Sequence, residues 1–331
     1  MGRPTIAVTI GDPAGIGPET ALRAVTAEAV QDACRPVIVG SVAALEQCAQ
    51  WCGFDPVPIQ SASSPMALPD GPLVVLDVPV PGIDTIRPGR VQALGGNAAV
   101  AYLRRACRLA LDGFVQAIAT GPINKESLAA AGMPGVGHTE LLASYFEVED
   151  PLTLFITERM RIFFLTRHLS LRDALKHITE QNVLQMLRRV SAALHELGLE
   201  RPRVAVAALN PHASDGGLFG EEEHRELEPA VAAAQAEGLE VVGPVPADSV
   251  FHQALEGRWD AVLSLYHDQG HIAAKTRDFH RTVTATLGLP VLRTSVDHGT
   301  AFDIAWTGQA SSVSMEAAIL AAAELLQTSG K

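Results

Sequence analysis

Short apolar runs alternate with longer stretches of helical period along almost the whole of this 331-residue chain. The runs that predict buried strands are Thr5–Ile10, Pro36–Gly40, Leu73–Asp77, Val115–Thr120, Leu152–Thr157, Ile162–Thr166, Val204–Leu209, Ala261–Tyr266 and Val283–Thr286. The helical stretches include Glu19–Val30, Ala98–Leu111, Leu184–Leu197, Glu221–Ala236 and Met315–Gln327. This alternation predicts an α/β fold with a largely parallel sheet covered on both faces. Since 47% of the residues are hydrophobic, the chain can build one large domain or two of ordinary size.

Three of the apolar runs deliver a histidine at or just past their carboxyl end. FFLTRH ends at His168, VAVAALNPH ends at His212, and AVLSLYH ends at His267. Ligands of open α/β sheets bind outside the carboxyl ends of the strands, and imidazole is a common metal ligand. Three imidazoles would leave one position of a divalent ion open for substrate or water. We therefore predict a metal site here, the alternative being three ordinary loop histidines.

Two further segments have the composition of anion-binding loops. GDPAGIGPE, from Gly11 to Glu19, follows the first strand and opens a helix, but it is neither a G-x-G-x-x-G nor a Walker A loop. A structural turn is an equally good interpretation of it. GHTELLA predicts a helix with Thr139 at or near its N-cap, so that His138 and Thr139 would offer donors to a phosphate. The alternative is simple helix capping by Thr139.

The densest polar segment runs from His267 to Asp303. Lys275 and Arg293 are cations in otherwise apolar surroundings within it, which makes them candidates for clamping a carboxylate or phosphate. The alternative for each is a solvated surface charge. His271 lies in a loop-like part of the same segment and is a candidate to contact substrate or to support a ligand.

Charge and composition argue against several classes of partner. The formal net charge is -12, and the acidic residues are spread along the chain, so a nucleic-acid partner is not expected. No apolar run approaches the length of a membrane span. The N-terminus enters a strand too early for a secretory signal, so we expect a cytoplasmic protein that does not bind membranes.

Several motifs together resemble one known family. They are GDPAGIGPE, TGPINKESL, GHTELLA, NPHASDGGLFGEEE, GPVPADSVF, YHDQGH, TLGLP and RTSVDHGTAFDIA. In this order, over nearly the whole chain, they are similar to the 4-hydroxythreonine-4-phosphate dehydrogenase family of pyridoxal-phosphate biosynthesis. The resemblance implies a fold like that of the isocitrate and isopropylmalate dehydrogenases, with two α/β domains and a cleft between them. Residues 1–135 with 285–331 would form the first domain, and residues 136–284 the second, which would carry the dimer interface.

The same resemblance implies a homodimer with a shared active site and assigns roles to individual residues. The ligands of one divalent ion (Zn, Mg or Co) would be His168, His212 and His267, in agreement with the strand-end argument. The contacts of the phosphorylated substrate would be His138, Thr139, Lys275, Thr284 and Arg293. NAD or NADP would be bound by the loop that resembles an adenosine-binding loop, through His298, Gly299, Thr300 and Asp303.

The activity that the resemblance implies is a metal-dependent oxidation coupled to reduction of NAD or NADP. It would convert 4-phosphohydroxy-L-threonine to 3-amino-2-oxopropyl phosphate with loss of CO2, and Lys275 or Asp248 would take the hydroxyl proton. Thr284 stands where the family has asparagine, and the chain resembles equally well the relatives that oxidise D-threonate or D-erythronate 4-phosphate. Two other classes stay open, a metal-dependent hydrolase and a catalytically idle ligand-binding protein.

Overall fold

The computed structural model describes residues 2–54 and 58–330, and these divide into two compact units. The first unit contains the described residues up to Pro151 together with Val283–Gln327. The second contains Leu152–Thr282 and Thr328–Gly330.

The first unit is an α/β structure whose last helix runs on past Gln327. Its strands and helices are β1 (Thr5–Thr9), α1 (Gly17–Thr26), α2 (Glu28–Ala33), β2 (Arg35–Gly40), α3 (Val42–Cys52), β3 (Gln60–Ala62), β4 (Val74–Asp77), α4 (Ala93–Leu111), β5 (Ala117–Thr120), α5 (Lys125–Ala130), α6 (His138–Phe146), and, after the second unit, β11 (Val283–Leu287), β12 (Leu292–Ser295) and α12 (Val313–Ser329).

The strands of the first unit lie in the order β3-β4-β2-β1-β5-β12-β11, all parallel except β11, which is antiparallel to β12. Successive side chains of β1 enter different cores, Ile6 and Val8 on one face and Ala7 on the other, so helices cover both faces as the sequence predicts. The chain leaves β1 towards β2 and returns on the other side as β5. The carboxyl ends of β1 and β5 therefore form a topological switch point, where α/β proteins bind ligands.

The second unit has the same construction. Its strands and helices are β6 (Leu152–Thr157), β7 (Met160–Phe164), α7 (Leu171–His177), α8 (Glu180–Glu196), β8 (Val204–Ala207), α9 (Glu228–Ala236), β9 (Val241–Val245), α10 (Ala247–Leu255), β10 (Ala261–Ser264) and α11 (His267–Arg277). The strand order is β6-β7-β10-β8-β9, with β6 antiparallel to β7 and the rest parallel.

The longest helix that lies wholly in the second unit illustrates why these segments fold as they do. In α8, the Thr179 hydroxyl accepts a hydrogen bond from the Asn182 amide at the N-terminus. Val183, Leu187 and Leu194 recur on one face and are buried. A capped amphipathic helix of this kind gains its stability by packing that face on a sheet.

Several predicted boundaries are corrected by the structure. The helix predicted over Glu19–Val30 is two helices, because Ala27 is extended (φ −63°, ψ 134°) and ends α1. The strand predicted at Ile162–Thr166 begins earlier, at Met160. The sequence also missed β3, β9 and β12, which are short and, in β9, interrupted by Gly and Pro. In the part of the chain that the structure describes, no helix combines the length and apolarity needed to cross a bilayer.

Candidate functional site

The three strand-end histidines all belong to the second unit and follow neighbouring strands. His168 comes shortly after β7, His267 is the first residue of α11 just after β10, and His212 follows β8. The strands β7, β10 and β8 are adjacent and parallel, so their carboxyl ends share one edge of the sheet. The topology thus brings the backbone of all three predicted ligands to the same edge.

Two of these imidazoles lie close together. The ring centroids of His168 and His267 are 6.2 Å apart with an angle of 43° between the planes. Two imidazoles bound to one ion have centroids at most about 6–6.5 Å apart, because metal–nitrogen bonds are about 2.0–2.1 Å. Nδ1 of His267 donates to the Asp268 carboxylate at 2.7 Å, which leaves Nε2 to face a ligand. Such a carboxylate partner is typical of metal-binding histidines.

The third imidazole sits on an unusual stretch of backbone. His212, Ala213 and Ser214 all have left-handed φ angles, of 55°, 54° and 63°. Each such non-glycine residue costs about 1–2 kcal/mol, and strain of this kind concentrates at functional sites. Among the described residues, no three His, Cys, Asp or Glu side chains are gathered so as to hold a metal ion. The donor types and their shared edge fit a divalent ion, and the assembled triad stays a proposal.

Helix α11 carries one row of candidate groups, at His267, His271 and Lys275. Residues four apart lie on the same helix face. The structure corrects the loop predicted around His271: its ring stacks on His267 at 3.6 Å, and its Nδ1 donates to the His267 carbonyl oxygen at 2.8 Å. The Lys275 ammonium lies 5.3 Å from the ring centroid of Phe279.

The other candidate base, Asp248, stands in the first turn of α10. It lines a cavity of about 660 Å³ together with Asp268 and Gln269, among other residues. Asp248 therefore opens onto the same cavity as the carboxylate that holds His267.

The first unit contains a buried cation whose hydrogen-bond partners are hydroxyl groups. Arg293, on β12, is only 4% exposed. Its Nε and Nη2 donate to the Thr120 hydroxyl at 3.0 and 2.6 Å, and its Nη1 donates to the Thr286 hydroxyl at 3.1 Å. Burial lowers the pKa of Arg293 to about 9, so the guanidinium is still charged at neutral pH. A buried charge held by neutral groups is suited to receive an anion.

His138 adds a second group near this cation. It is the first residue of α6, and its Nε2 is buried without a hydrogen-bond partner in the structure. Burial, and then the neighbouring Arg293 charge, hold the pKa of His138 well below its usual range. The imidazole is therefore neutral at neutral pH, with one ring nitrogen available to a ligand.

The N-terminus of α6 is not capped in the way the sequence predicts. The N-cap is Gly137, whose amide donates to the Glu140 carboxylate at 2.8 Å. Thr139 is the second residue of the helix, so simple capping by Thr139 is wrong. Its side chain remains a candidate ligand group.

Thr284 and Thr286 lie on the same face of β11, since side chains two apart in a strand point the same way. Thr286 is opposite Arg293 in the register, and Thr284 is opposite Ser295. The Thr284 hydroxyl lies 3.5 Å from a carboxylate oxygen of Asp297. Thr284, the expected departure from the family's pattern, thus lies two residues along β11 from Thr286, which accepts a hydrogen bond from Arg293.

The predicted cofactor loop, His298–Asp303, is packed on the glycine-rich loop that follows β1. Asp303 is exposed and His298 is half-buried, whereas Thr300 is buried. The Ile16 amide donates to the Thr300 carbonyl oxygen at 3.0 Å, and a Cβ added to Gly15 would lie 2.8 Å from Cβ of Thr300. Backbone amides of the glycine-rich loop thus already donate hydrogen bonds to carbonyl oxygens of the protein. The structure therefore favours the structural-turn interpretation of GDPAGIGPE over an anion site.

The sequence did not identify the groups that hold these candidates in place. These are Thr120 and Thr286 around Arg293, and Glu19 beneath the predicted cofactor loop. Thr120 ends β5 and is the first residue of the TGPINKESL motif, and that position is the signal that could have found it.

Comparisons with known proteins agree with one another. A family model described as pyridoxal phosphate biosynthetic protein PdxA matches residues 32–322. A protein of Symbiobacterium thermophilum, provisionally named a D-threonate 4-phosphate dehydrogenase, is 53% identical over 323 residues, covering 96% of this chain and 95% of that protein. The crystal structure of a 4-hydroxythreonine-4-phosphate dehydrogenase from Klebsiella pneumoniae matches with a TM-score of 0.91 and 43% identity, covering 98% of each chain. One from Burkholderia phymatum matches with a TM-score of 0.85 and 38% identity, covering 98% of this chain and 99% of that one. These similarities confirm the predicted isocitrate/isopropylmalate dehydrogenase-like α/β fold class.

Proposed function

This chain belongs to the family of pyridoxal phosphate biosynthetic protein PdxA, as its motifs suggest, and from that premise we propose that it oxidises and decarboxylates a phosphorylated four-carbon acid. It is an oxidoreductase of the dehydrogenase type. The proposed reaction converts 4-phosphohydroxy-L-threonine to 3-amino-2-oxopropyl phosphate and CO2, with reduction of NAD or NADP. The cytoplasm is the proposed location.

The observation that carries the proposal is the buried Arg293. A guanidinium that donates to the Thr120 and Thr286 hydroxyls has a net positive charge that a phosphate or carboxylate would neutralise. His138 and Thr139, at the start of α6, would contribute an imidazole and a hydroxyl to the same anion. Lys275 is proposed as a further substrate contact.

The second unit would supply the residues that act on the reacting carbons. His168, His212 and His267 would hold a divalent ion (Zn, Mg or Co), which would supply Lewis acidity to the oxidation and the decarboxylation. Lys275 or Asp248 would accept the proton of the substrate's 3-hydroxyl, and the nicotinamide of NAD or NADP would supply the two-electron oxidant for that carbon. The product of that step is a 3-oxo acid, and it loses CO2 readily because its carboxylate is β to the ketone.

The loop of His298, Gly299, Thr300 and Asp303 would bind the adenosine part of NAD or NADP. Thr300 would mainly shape the loop, since it is buried against Gly15, whereas the exposed Asp303 would be free to reach a ribose hydroxyl.

A second candidate substrate is D-threonate or D-erythronate 4-phosphate, and Thr284 favours it. A threonine hydroxyl replaces the family's asparagine amide on the β11 face that Arg293 contacts. The curated relative at 53% identity is itself provisionally named for D-threonate 4-phosphate. A 2-amino group and a 2-hydroxyl differ little in size, so such a contact could determine the preference.

We propose further that the enzyme is a homodimer with a shared active site. Among the described residues, seven of the eleven large apolar side chains that are exposed belong to the second, smaller unit: Leu169, Leu171, Leu175, Leu218, Phe219, Ile272 and Phe279. Exposed apolar surface of this kind is characteristic of interaction sites.

One assay separates the candidates. The purified chain is given each of the phosphorylated acids in turn, with NAD or NADP and with Mg, Zn or Co, and reduced dinucleotide is followed by absorbance. Reduction with 4-phosphohydroxy-L-threonine supports the main proposal, and reduction only with the sugar-acid phosphates supports the second. Release of inorganic phosphate without reduction of the dinucleotide would favour the hydrolase and contradict both.

A further inference from the structure

The segment between β12 and α12, all of which the structure describes, has no helix or strand of its own over residues 296–312. A segment without regular hydrogen bonding keeps its shape only through contacts with its neighbours. In the first unit those contacts include the glycine-rich loop after β1, the first turn of α1, and Arg23 in its last turn, whose guanidinium donates to the Gly308 and Ala310 carbonyl oxygens.

One buried carboxylate makes two of these contacts. Glu19 is 0% exposed and lies in the first turn of α1. Its Oε2 accepts a hydrogen bond from the Trp306 amide at 2.9 Å, and its Oε1 accepts one from the Ala310 amide at 2.8 Å. Both oxygens of a single side chain therefore bond the backbone of the loop at points four residues apart.

Further contacts hold the same loop on the same support. The Trp306 indole N–H donates to the Pro13 carbonyl oxygen at 3.0 Å. The Ile16 amide donates to the Thr300 carbonyl oxygen, also at 3.0 Å. Trp306 has a left-handed φ of 61°, a conformation that is unfavourable for a residue with a large side chain. The two bonds to the Trp306 amide and indole stabilise that conformation.

We propose that Glu19 is a positioning residue that holds the loop from His298 to Ala310 in the shape that receives the dinucleotide. This inference rests on the proposed function, which assigns cofactor binding to His298–Asp303. Glutamine cannot replace Glu19 without loss, because its amide offers one acceptor and one donor where two acceptors are used. One loop amide would then face an N–H group instead of an oxygen.

The test compares Glu19→Gln and Glu19→Ala with the wild-type chain. Glu28→Gln is the matched control, since Glu28 is an exposed glutamate in the first turn of the neighbouring helix α2. Direct titration with NADH or NADPH should show a dissociation constant roughly tenfold or more higher for both Glu19 variants and unchanged for the control. Hydrogen exchange of the Trp306 and Ala310 amides should accelerate. Binding of Zn or Co, whose proposed ligands lie in the second unit, should be unaffected. The KM for NAD or NADP should rise, whereas the KM for the phosphorylated acid should stay unchanged.

A general loss of stability would weaken the binding of the dinucleotide and of the metal ion together. That result would contradict a positioning role for Glu19. If Glu19→Ala does not fold, Glu19→Gln and Trp306→Phe carry the test, the second of which removes the indole N–H that bonds Pro13 while keeping an aromatic ring against Trp51. A folded variant with accelerated exchange but unchanged affinity for the dinucleotide would overturn the inference while leaving the proposed function intact. If the wild-type chain itself binds neither NADH nor NADPH, the proposed function fails and the inference fails with it.

Discussion

Arg293 and His138 show what a sequence can and cannot say about single residues. The cation in apolar surroundings and the histidine at a helix start were identifiable from their neighbours in the chain. The hydroxyls of Thr120 and Thr286 were not, because each faces Arg293 only through the pairing of β12 with β5 on one side and β11 on the other. Strand register depends on contacts between residues distant in sequence, and no local pattern specifies it.

Arg293→Lys should weaken binding of the phosphorylated substrate. A lysine keeps the charge but loses the planar fork that is held by two hydroxyls, and a charge-assisted hydrogen bond contributes about 1.5–3 kcal/mol. We expect KM for the phosphorylated acid to rise roughly tenfold to a hundredfold, with KM for NAD or NADP unchanged. Arg188→Lys, an exposed arginine paired with Glu237, is the control and should change neither constant. An unchanged KM in a folded Arg293→Lys variant would remove Arg293 from the anion site.

His138 should make the stability of the free protein depend on pH. Burial lowers the pKa of His138 in the folded state, whereas in the unfolded chain it is about 6.5. Below that pH the unfolded state binds a proton that the folded state does not. The free energy of unfolding should therefore fall as the pH drops, by up to about 1.4 kcal/mol per pH unit from this group.

This contribution is measured by comparing wild type and His138→Asn in denaturant titrations between about pH 7.5 and 5. The variant should lose less stability than wild type over that range. His195→Asn, on the exposed surface of α8, should behave like wild type. Parallel curves for wild type and His138→Asn would show that His138 is not held neutral by burial.

At the scale of elements, the alternation of strands and helices was readable because apolar runs and helical periods are local properties of the chain. The order of the strands was not readable, and neither was the start of α11 at His267, since YHDQGH is polar and has no amphipathic period. The break between α1 and α2 was also missed, because Ala27 is a good helix former whose extended conformation is set by packing. The three strand-end histidines could be found because each one follows its own apolar run in the sequence.

His212→Ala should abolish tight binding of the divalent ion. Removing one of three proposed ligands from the edge formed by β7, β10 and β8 should lower the affinity for Zn or Co by roughly a hundredfold or more and eliminate metal-dependent turnover. Calorimetric titration with the metal gives the affinity, and titration with NADH should be unchanged. His224→Ala, at an exposed residue of the short π-helix Glu223–Leu227, is the control. An active, metal-replete His212→Ala variant would disprove the assignment.

For the whole molecule, the motifs spread along the chain identified the family. No single motif predicts the oligomeric state. Leu169, Leu171 and Leu175, on α7 and just before it, are exposed, and we propose that dimerisation covers them. Light scattering after gel filtration should give twice the mass of one chain, and Leu171→Glu should shift the population towards the single chain. A monomer with full activity would contradict a shared active site.

A metal-dependent oxidative decarboxylation fixes the ratio of its products. Reduced dinucleotide and CO2 should form in equal amounts from each phosphorylated acid that the enzyme consumes. Both products should cease together when the divalent ion is chelated, and both should return when it is restored. Consumption of the acid with neither reduced dinucleotide nor CO2, or equal turnover in the thoroughly chelated enzyme, would rule out this reaction.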